Sequence, residues 1–100
     1  MTEKPLFVPL KKEYYRLFIN GSKKFELRKY GARWNEKTCR VGRSVILSEG
    51  YGKNNRTSAI IVSFERVAAA NLSPMDQLAL RDIYGSLDFD LARIGLKTQG

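Results

Sequence analysis

Asn20-Gly21 separates two apolar patterns that no single element can carry. Before it, Leu10, Tyr14, Leu17 and Phe18 recur at i, i+4, i+7 and i+8, one apolar face at helical period. After it, Lys24 to Tyr30 alternates at period two, with Phe25 and Leu27 pointing one way and Glu26, Arg28 and Tyr30 the other. A helix over about Lys11 to Ile19 therefore gives way to a strand with a core face and a functional-looking face. Lys12, Glu13 and Arg16 fall on the wet side of that helix. Asparagine and glycine both tolerate the left-handed cap that ends it.

The same reasoning extends along the chain. Leu6-Phe7-Val8-Pro9-Leu10 reads as an edge strand, because Pro9 cannot donate to a ladder. Gly31 to Gly42 reads as a long loop, Val45-Ile46-Leu47 as a strand core, and Glu49 to Arg56 as turn chemistry with two glycines and two asparagines. Thr57 to Val67 is a long strand. Ile60, Val62 and Phe64 share one face and Ile61 and Val67 the other, which suits a central position or a barrel wall. Ser73-Pro74-Met75-Asp76 opens a second helix through a cap, a proline at the first position and an acid in the first turn. Met75, Leu78, Ala79 and Ile83 form its expected buried stripe, and Gly85 ends it. Leu87, Phe89 and Leu91 alternate with Asp88 and Asp90 as a closing strand. The order predicts an α+β fold: one domain spanning residues 1–100, a small antiparallel or mixed β-barrel with two accessory helices.

Composition narrows the chemistry. There is no histidine, and Cys39 is the only cysteine among 100 residues. Zinc sites built from Cys and His, a histidine general base and an internal disulfide are all excluded on residue count. Neither a metal nor a cofactor is expected, and Cys39 reads as a solitary buried thiol. No stretch approaches the ~20 apolar residues of a membrane span. The start of the chain shows no signal-peptide pattern, so the expected compartment is the cytoplasm.

The net charge of +8 is unevenly placed. Residues 1–56 hold 14 Lys and Arg against 5 acids, whereas residues 57–100 hold 4 against 5. A field of one sign concentrated in the first half attracts polyanions, of which nucleic acid is the commonest in cells. A solvated, solubilising surface is the plainer alternative.

The segment Gly21-Ser22-Lys23-Lys24-Phe25-Glu26-Leu27-Arg28 matches Gly-x-Lys-x-x-Glu-x-Arg, and the chain thereby resembles the ASCH family of the PUA-like superfamily. Val41-Gly42-Arg43-Ser44-Val45-Ile46-Leu47 resembles that family's valine-glycine-aspartate strand segment, with Arg43 in place of the aspartate. Tyr30 to Arg40 resembles members carried by phages and prophages, which would put the protein in the host cytoplasm. The resemblance covers roughly residues 6 to 95. It implies a PUA-like barrel and RNA binding. It also leaves room for hydrolysis, since one small bacterial type hydrolyses N4-acetylcytidine and another has ribonuclease activity. The acetylcytidine enzymes carry a threonine where this chain has Glu26. They also use a glutamate shortly before the second helix, where Asp76 is the nearest acid here.

Candidate site residues follow. Glu26 and Arg28 share a strand face, so they can flank a ligand or pair to close the barrel. Lys23 can clamp phosphate or accept a proton, but strict parity places it with Phe25 and Leu27. It reaches Glu26 only if the strand begins after it. Lys23 and Glu26 are thus the catalytic candidates of a hydrolase. For a binding module, Arg28, Arg33, Arg40 and Arg43 offer guanidinium groups to phosphate. Trp34, Tyr30 and Tyr51 offer rings to bases, though Trp34 can equally serve as a lid on the barrel. Lys53 and Arg56 flank the turn tip. An RNA or nucleotide partner is expected, and a host protein held by the basic face is the rival.

Overall fold

The computed structural model describes residues 3–99. The elements run β1 (Leu6–Leu10), α1 (Lys12–Ile19), β2 (Phe25–Lys29), β3 (Ser44–Glu49), β4 (Arg56–Ala68), a 3₁₀ turn (Ala69–Asn71), α2 (Pro74–Tyr84) and β5 (Asp90–Thr98). All five strands join one mixed sheet in the order β1-β3-β4-β5-β2. Only the β1–β3 pair is parallel among them. The sheet curls into a half-barrel, the small α+β barrel with two accessory helices anticipated above. β1 lies at one edge, as Pro9 requires, and β2 at the other. The long β4 is central. No helix among the described residues is long and apolar enough to cross a membrane.

The main core fills the concave side. Val8, Val45, Leu47, Ile61 and Ile94 are buried there with the Cys39 thiol. Each fully buried aliphatic side chain contributes about 1.5–3 kcal/mol. α1 closes one end with Phe18, while the Tyr15 hydroxyl pairs with Thr57 Oγ1 at 2.8 Å. The helical face is thus rotated from the expected one: Tyr15 and Phe18 are buried, whereas Tyr14 and Leu17 are partly exposed. Docking against the barrel end selects the Tyr15 side, which carries a hydroxyl able to satisfy Thr57.

Three further expectations are corrected. First, the face of β2 that looks at the main core carries Glu26, paired with Ile94 of β5, and not Phe25. Phe25 lies opposite Gly95 on the outer face and remains exposed, while Leu27 joins a smaller cluster with Leu80 and Leu91. Second, a β-bulge between Ile61 and Ser63 shifts the parity of β4. Phe64 therefore joins Ile61 on the main core, and Val62 is left outside at 50% exposure. An inserted residue reverses every alternation beyond it. Third, β5 begins at Asp90 and runs to Thr98, well past the expected closing strand at 87–91.

α2 begins as expected. Ser73 Oγ accepts from the Asp76 amide, Pro74 occupies the first turn, and Gly85 ends the helix at φ +77°. Its expected buried stripe is outside, however: Met75, Leu78 and Ile83 are exposed, and Leu80 is buried. The inward side is completed by Gln77, whose amide donates to the carbonyls of Ala70 and Leu72. A helical period reports which residues share a face, whereas the neighbouring 3₁₀ turn decides which face is covered. Accordingly, Leu80→Ala is expected to cost about 2–4 kcal/mol, and Leu78→Ala no more than about 0.5 kcal/mol, in urea denaturation. A larger loss at Leu78 than at Leu80 would show α2 docked the other way round.

Candidate functional site

The half-barrel has a seam between its two edge strands, and the motif residues occupy it. Pro9 has no amide hydrogen, but its carbonyl is free to accept. Arg28 Nη2 donates to that oxygen at 2.6 Å, so a side chain of β2 reaches the backbone of β1. The same guanidinium binds Glu26 through Nε to Oε2 at 2.9 Å and Nη2 to Oε2 at 2.7 Å. Lys23 Nζ lies 3.8 Å from the other oxygen, Oε1. Glu26 is only 8% exposed, so its charge has little water and depends on these two cations. The barrel-closing ion pair is present.

Lys23 precedes β2 and lies in the turn after Gly21, which adopts φ +83°. Its amide donates to the Leu17 carbonyl, and its ammonium lies 5.5 Å from the ring centroids of Tyr14 and Phe18. Starting the strand after Lys23 frees it from strand parity and lets it reach Glu26. Trp34 is half-buried against the main core. Arg28 and Arg33 both lie over its ring, at 4.8 and 5.4 Å from the centroid. Lys23, Glu26, Arg28, Arg33 and Trp34 therefore form one cluster. A hollow of about 300 Å³ adjoins it, lined by Pro9, Leu10, Lys11, Arg28, Gly50 and Tyr51. The Tyr51 ring is 81% exposed there, so the turn after β3 meets the seam.

The remaining candidates sit elsewhere. Arg43 is largely buried. Its guanidinium donates to the carbonyls of Thr38 at 2.6 Å and Lys4 at 2.9 Å, stapling the first residues to the long loop. Arg40 pairs with the Glu3 carboxylate and donates to the Lys37 carbonyl. Arg56 donates to the Gly52 carbonyl and lies over Phe7, while Lys53 is exposed on the turn. The loop itself is organised by Asn35, which donates to the Gly31 and Ala32 carbonyls and accepts from the amides of Lys37 and Thr38.

Tyr30 belongs to a separate group. Its hydroxyl donates to Glu36, and Arg66, paired with Asp90 at 2.7 Å, lies over its ring. The hydrogen bond from Tyr30 holds the Glu36 carboxyl below the usual carboxylate range and raises the tyrosine above its own. A depressed folded-state value means that the Glu36 contribution is present above the ordinary glutamate value. It is lost as pH falls through the depressed value. The tyrosine term has the opposite sign, present below its ordinary value and lost as pH rises through the raised one. Tyr30→Phe should therefore move the Glu36 titration up in a carbon-detected NMR experiment. An unchanged midpoint would mean the bond does not form in solution.

A third feature is a polar cleft of about 620 Å³ on the outer face of the sheet beside α2. Its lining includes Lys23, Leu27, Arg66, Asn71, Asp76 and Arg93. Lys23 thus touches both the seam and this cleft, whereas Glu26 faces the core side of β2. Arg66 and Arg93 were not singled out from sequence. The bulge conceals the parity of Arg66, and Arg93 falls in the part of β5 that the alternation did not reach.

Comparison with solved structures finds a crystal structure of a hypothetical protein, PH0355, at TM-score 0.70 and 14% identity, covering 96% of this chain and 100% of that one. Likeness at that identity is a likeness of fold. No family model matches the chain, and no curated protein matches it.

Proposed function

We propose that the protein is an ASCH-type domain that binds single-stranded RNA or a nucleotide along the Arg28 seam. The supporting observation is that Arg28 joins the Trp34 cluster to a hollow lined by the exposed Tyr51. Arg28 and Arg33 lie over Trp34, and exposed Tyr51 lines the opening beside Lys11 and Arg28. Bases stack on such rings in a sequence-tolerant way, while guanidinium and ammonium groups meet the phosphates. The basic excess of residues 1–56 supplies attraction over longer range.

Fluorescence anisotropy with a labelled single-stranded RNA tests this. One lost stacking partner is worth about 1–3 kcal/mol, so Tyr51→Ala and Trp34→Ala should each weaken binding roughly 5- to 150-fold. Tyr51 is exposed, so its variant keeps the fold even if loss of Trp34 disturbs the core. Unchanged affinity in both removes the seam as the binding surface.

A hydrolytic reading draws on the cleft, where Lys23 shares the lining with Asp76. It replaces Glu26 with Asp76 as the second reacting group, since both Glu26 oxygens are already engaged by cations. Product from RNA or N4-acetylcytidine that vanishes in both Lys23→Ala and Asp76→Asn would favour it. No product from the wild type leaves the binding reading alone.

A further inference from the structure

A second hollow, of about 380 Å³, lies at the end of the sheet away from α2, between the turn joining α1 to β2, Val62 of β4 and the end of β5. Its size falls in the small-ligand range of about 300–1,000 Å³. The apolar floor is made by Phe18, Phe25, Val62, Gly95 and Leu96. Three lysines, Lys23, Lys24 and Lys97, complete the lining with Gly21 and Thr98, and no acid is among these residues.

Three local features shape this floor. The bulge in β4 turns Val62 outward, and bulges commonly re-aim a side chain beside a site. Gly95 has no side chain to fill the space. A Cβ there would overlap Ser63 Oγ and come within 3.3 Å of Phe25 Cε1. Phe25 is exposed, yet it is braced by the Arg93 guanidinium, 4.0 Å from its ring centroid. Ser63 and the Phe25 ring therefore cover Gly95, and the exposed part of Phe25 beside Val62 is the apolar surface left to a ligand. Lys23 is shared with Glu26, whereas the exposed Lys24 and Lys97 have no ion-pair partner among the described residues.

We propose that this hollow is a mononucleotide pocket, in which a base lies against Phe25 and Val62 and its phosphate meets Lys24 and Lys97. The ligand class rests on the RNA-binding reading above. The site does not, because Lys24, Val62 and Lys97 have no part in the seam. A free nucleoside monophosphate and the terminal nucleotide of an RNA share the required chemistry, a planar base beside a phosphate dianion.

Calorimetry and amide NMR with 5′-AMP and adenosine test the proposal on the whole chain. Saturable 5′-AMP binding should shift the amides of Phe25, Val62 and Gly95. Adenosine should bind at least tenfold more weakly, because it lacks the phosphate. Val62→Asp and Lys97→Glu should each weaken 5′-AMP at least tenfold and leave the response of RNA binding to Tyr51→Ala intact. Competition by a 5′-phosphorylated oligonucleotide, but not by its unphosphorylated form, assigns the pocket to an RNA end. Failure of both oligonucleotides to compete assigns it to the free nucleotide. The proposal is overturned if 5′-AMP does not saturate, if its shifts centre on Arg28 and Trp34, or if octanoate binds as tightly as 5′-AMP. Loss of the seam reading would appear separately, as RNA binding indifferent to Trp34 and Tyr51.

Discussion

Arg28→Ala is expected to destabilise the protein by about 3 kcal/mol, the lower end of the range for removing one partner of a buried ion pair. The reason lies in what remains. Glu26 keeps its burial but loses both short contacts, leaving only Lys23 at 3.8 Å. The Pro9 carbonyl also loses its donor. Arg28 is itself about a quarter exposed, which holds the figure below that for a fully enclosed pair. For a domain of this size the loss corresponds to roughly 12–24 °C in melting temperature. The double variant Arg28→Ala/Glu26→Leu should recover a large part of it, because the uncompensated charge is gone. Arg28→Lys should not, since one ammonium cannot bind both the carboxylate and the β1 carbonyl as the planar fork does. A loss under about 0.5 kcal/mol in Arg28→Ala would mean that the seam is held by packing alone.

The second large effect expected if the proposed RNA-binding reading holds concerns the salt dependence of affinity. Contact with about four phosphates of a single strand gives a slope near −2.8 in log K against log salt, or about a 50-fold loss between 50 and 200 mM. A flat profile rules out a phosphate-tracking site. The basic side chains then separate by what already holds them. Removing Lys53, which is exposed, should flatten the slope by about 0.7 if it meets a phosphate. Removing Arg43 should instead lower stability with little change of slope, because its donors are committed to the Thr38 and Lys4 carbonyls. Arg40 is intermediate, paired with Glu3 but half-exposed.

Local chemistry made much of this legible. Pro9 marks an edge strand, Asn20-Gly21 ends α1, and Ser73-Pro74-Asp76 opens α2, each through interactions within a few residues. The motif spacing also implies that Glu26 and Arg28 share a face and that Lys23 can join them only from the turn, where the structure places it. What sequence leaves out is long-range. Nothing near Glu26 indicates that its face looks inward, because its burial depends on Arg28 reaching Pro9, 19 residues away in sequence. The bulge at Val62 adds no glycine or proline to announce it, so the parity beyond it reverses unseen. The apolar stripe of α2 is real as a pattern, yet the side that docks is chosen by Leu80 and the amide of Gln77. Arg93, Gly95 and Lys97 interrupt the second half of β5, although Ala92, Ile94 and Leu96 between them are buried.

The parallel pairing of β1 with β3 bears on the order of assembly. β3 and β4 are joined by a short turn and can zip as a hairpin, with β5 adding antiparallel to β4. β1 must wait for the chain to fold back across α1, β2 and the long loop before Leu6 meets Val45. Closing so long a loop carries an entropy cost that only the finished sheet repays, so β1 is expected to dock late. Its arrival brings the Pro9 carbonyl to Arg28, so the strand expected to settle last is the one that gives the motif arginine its fixed position.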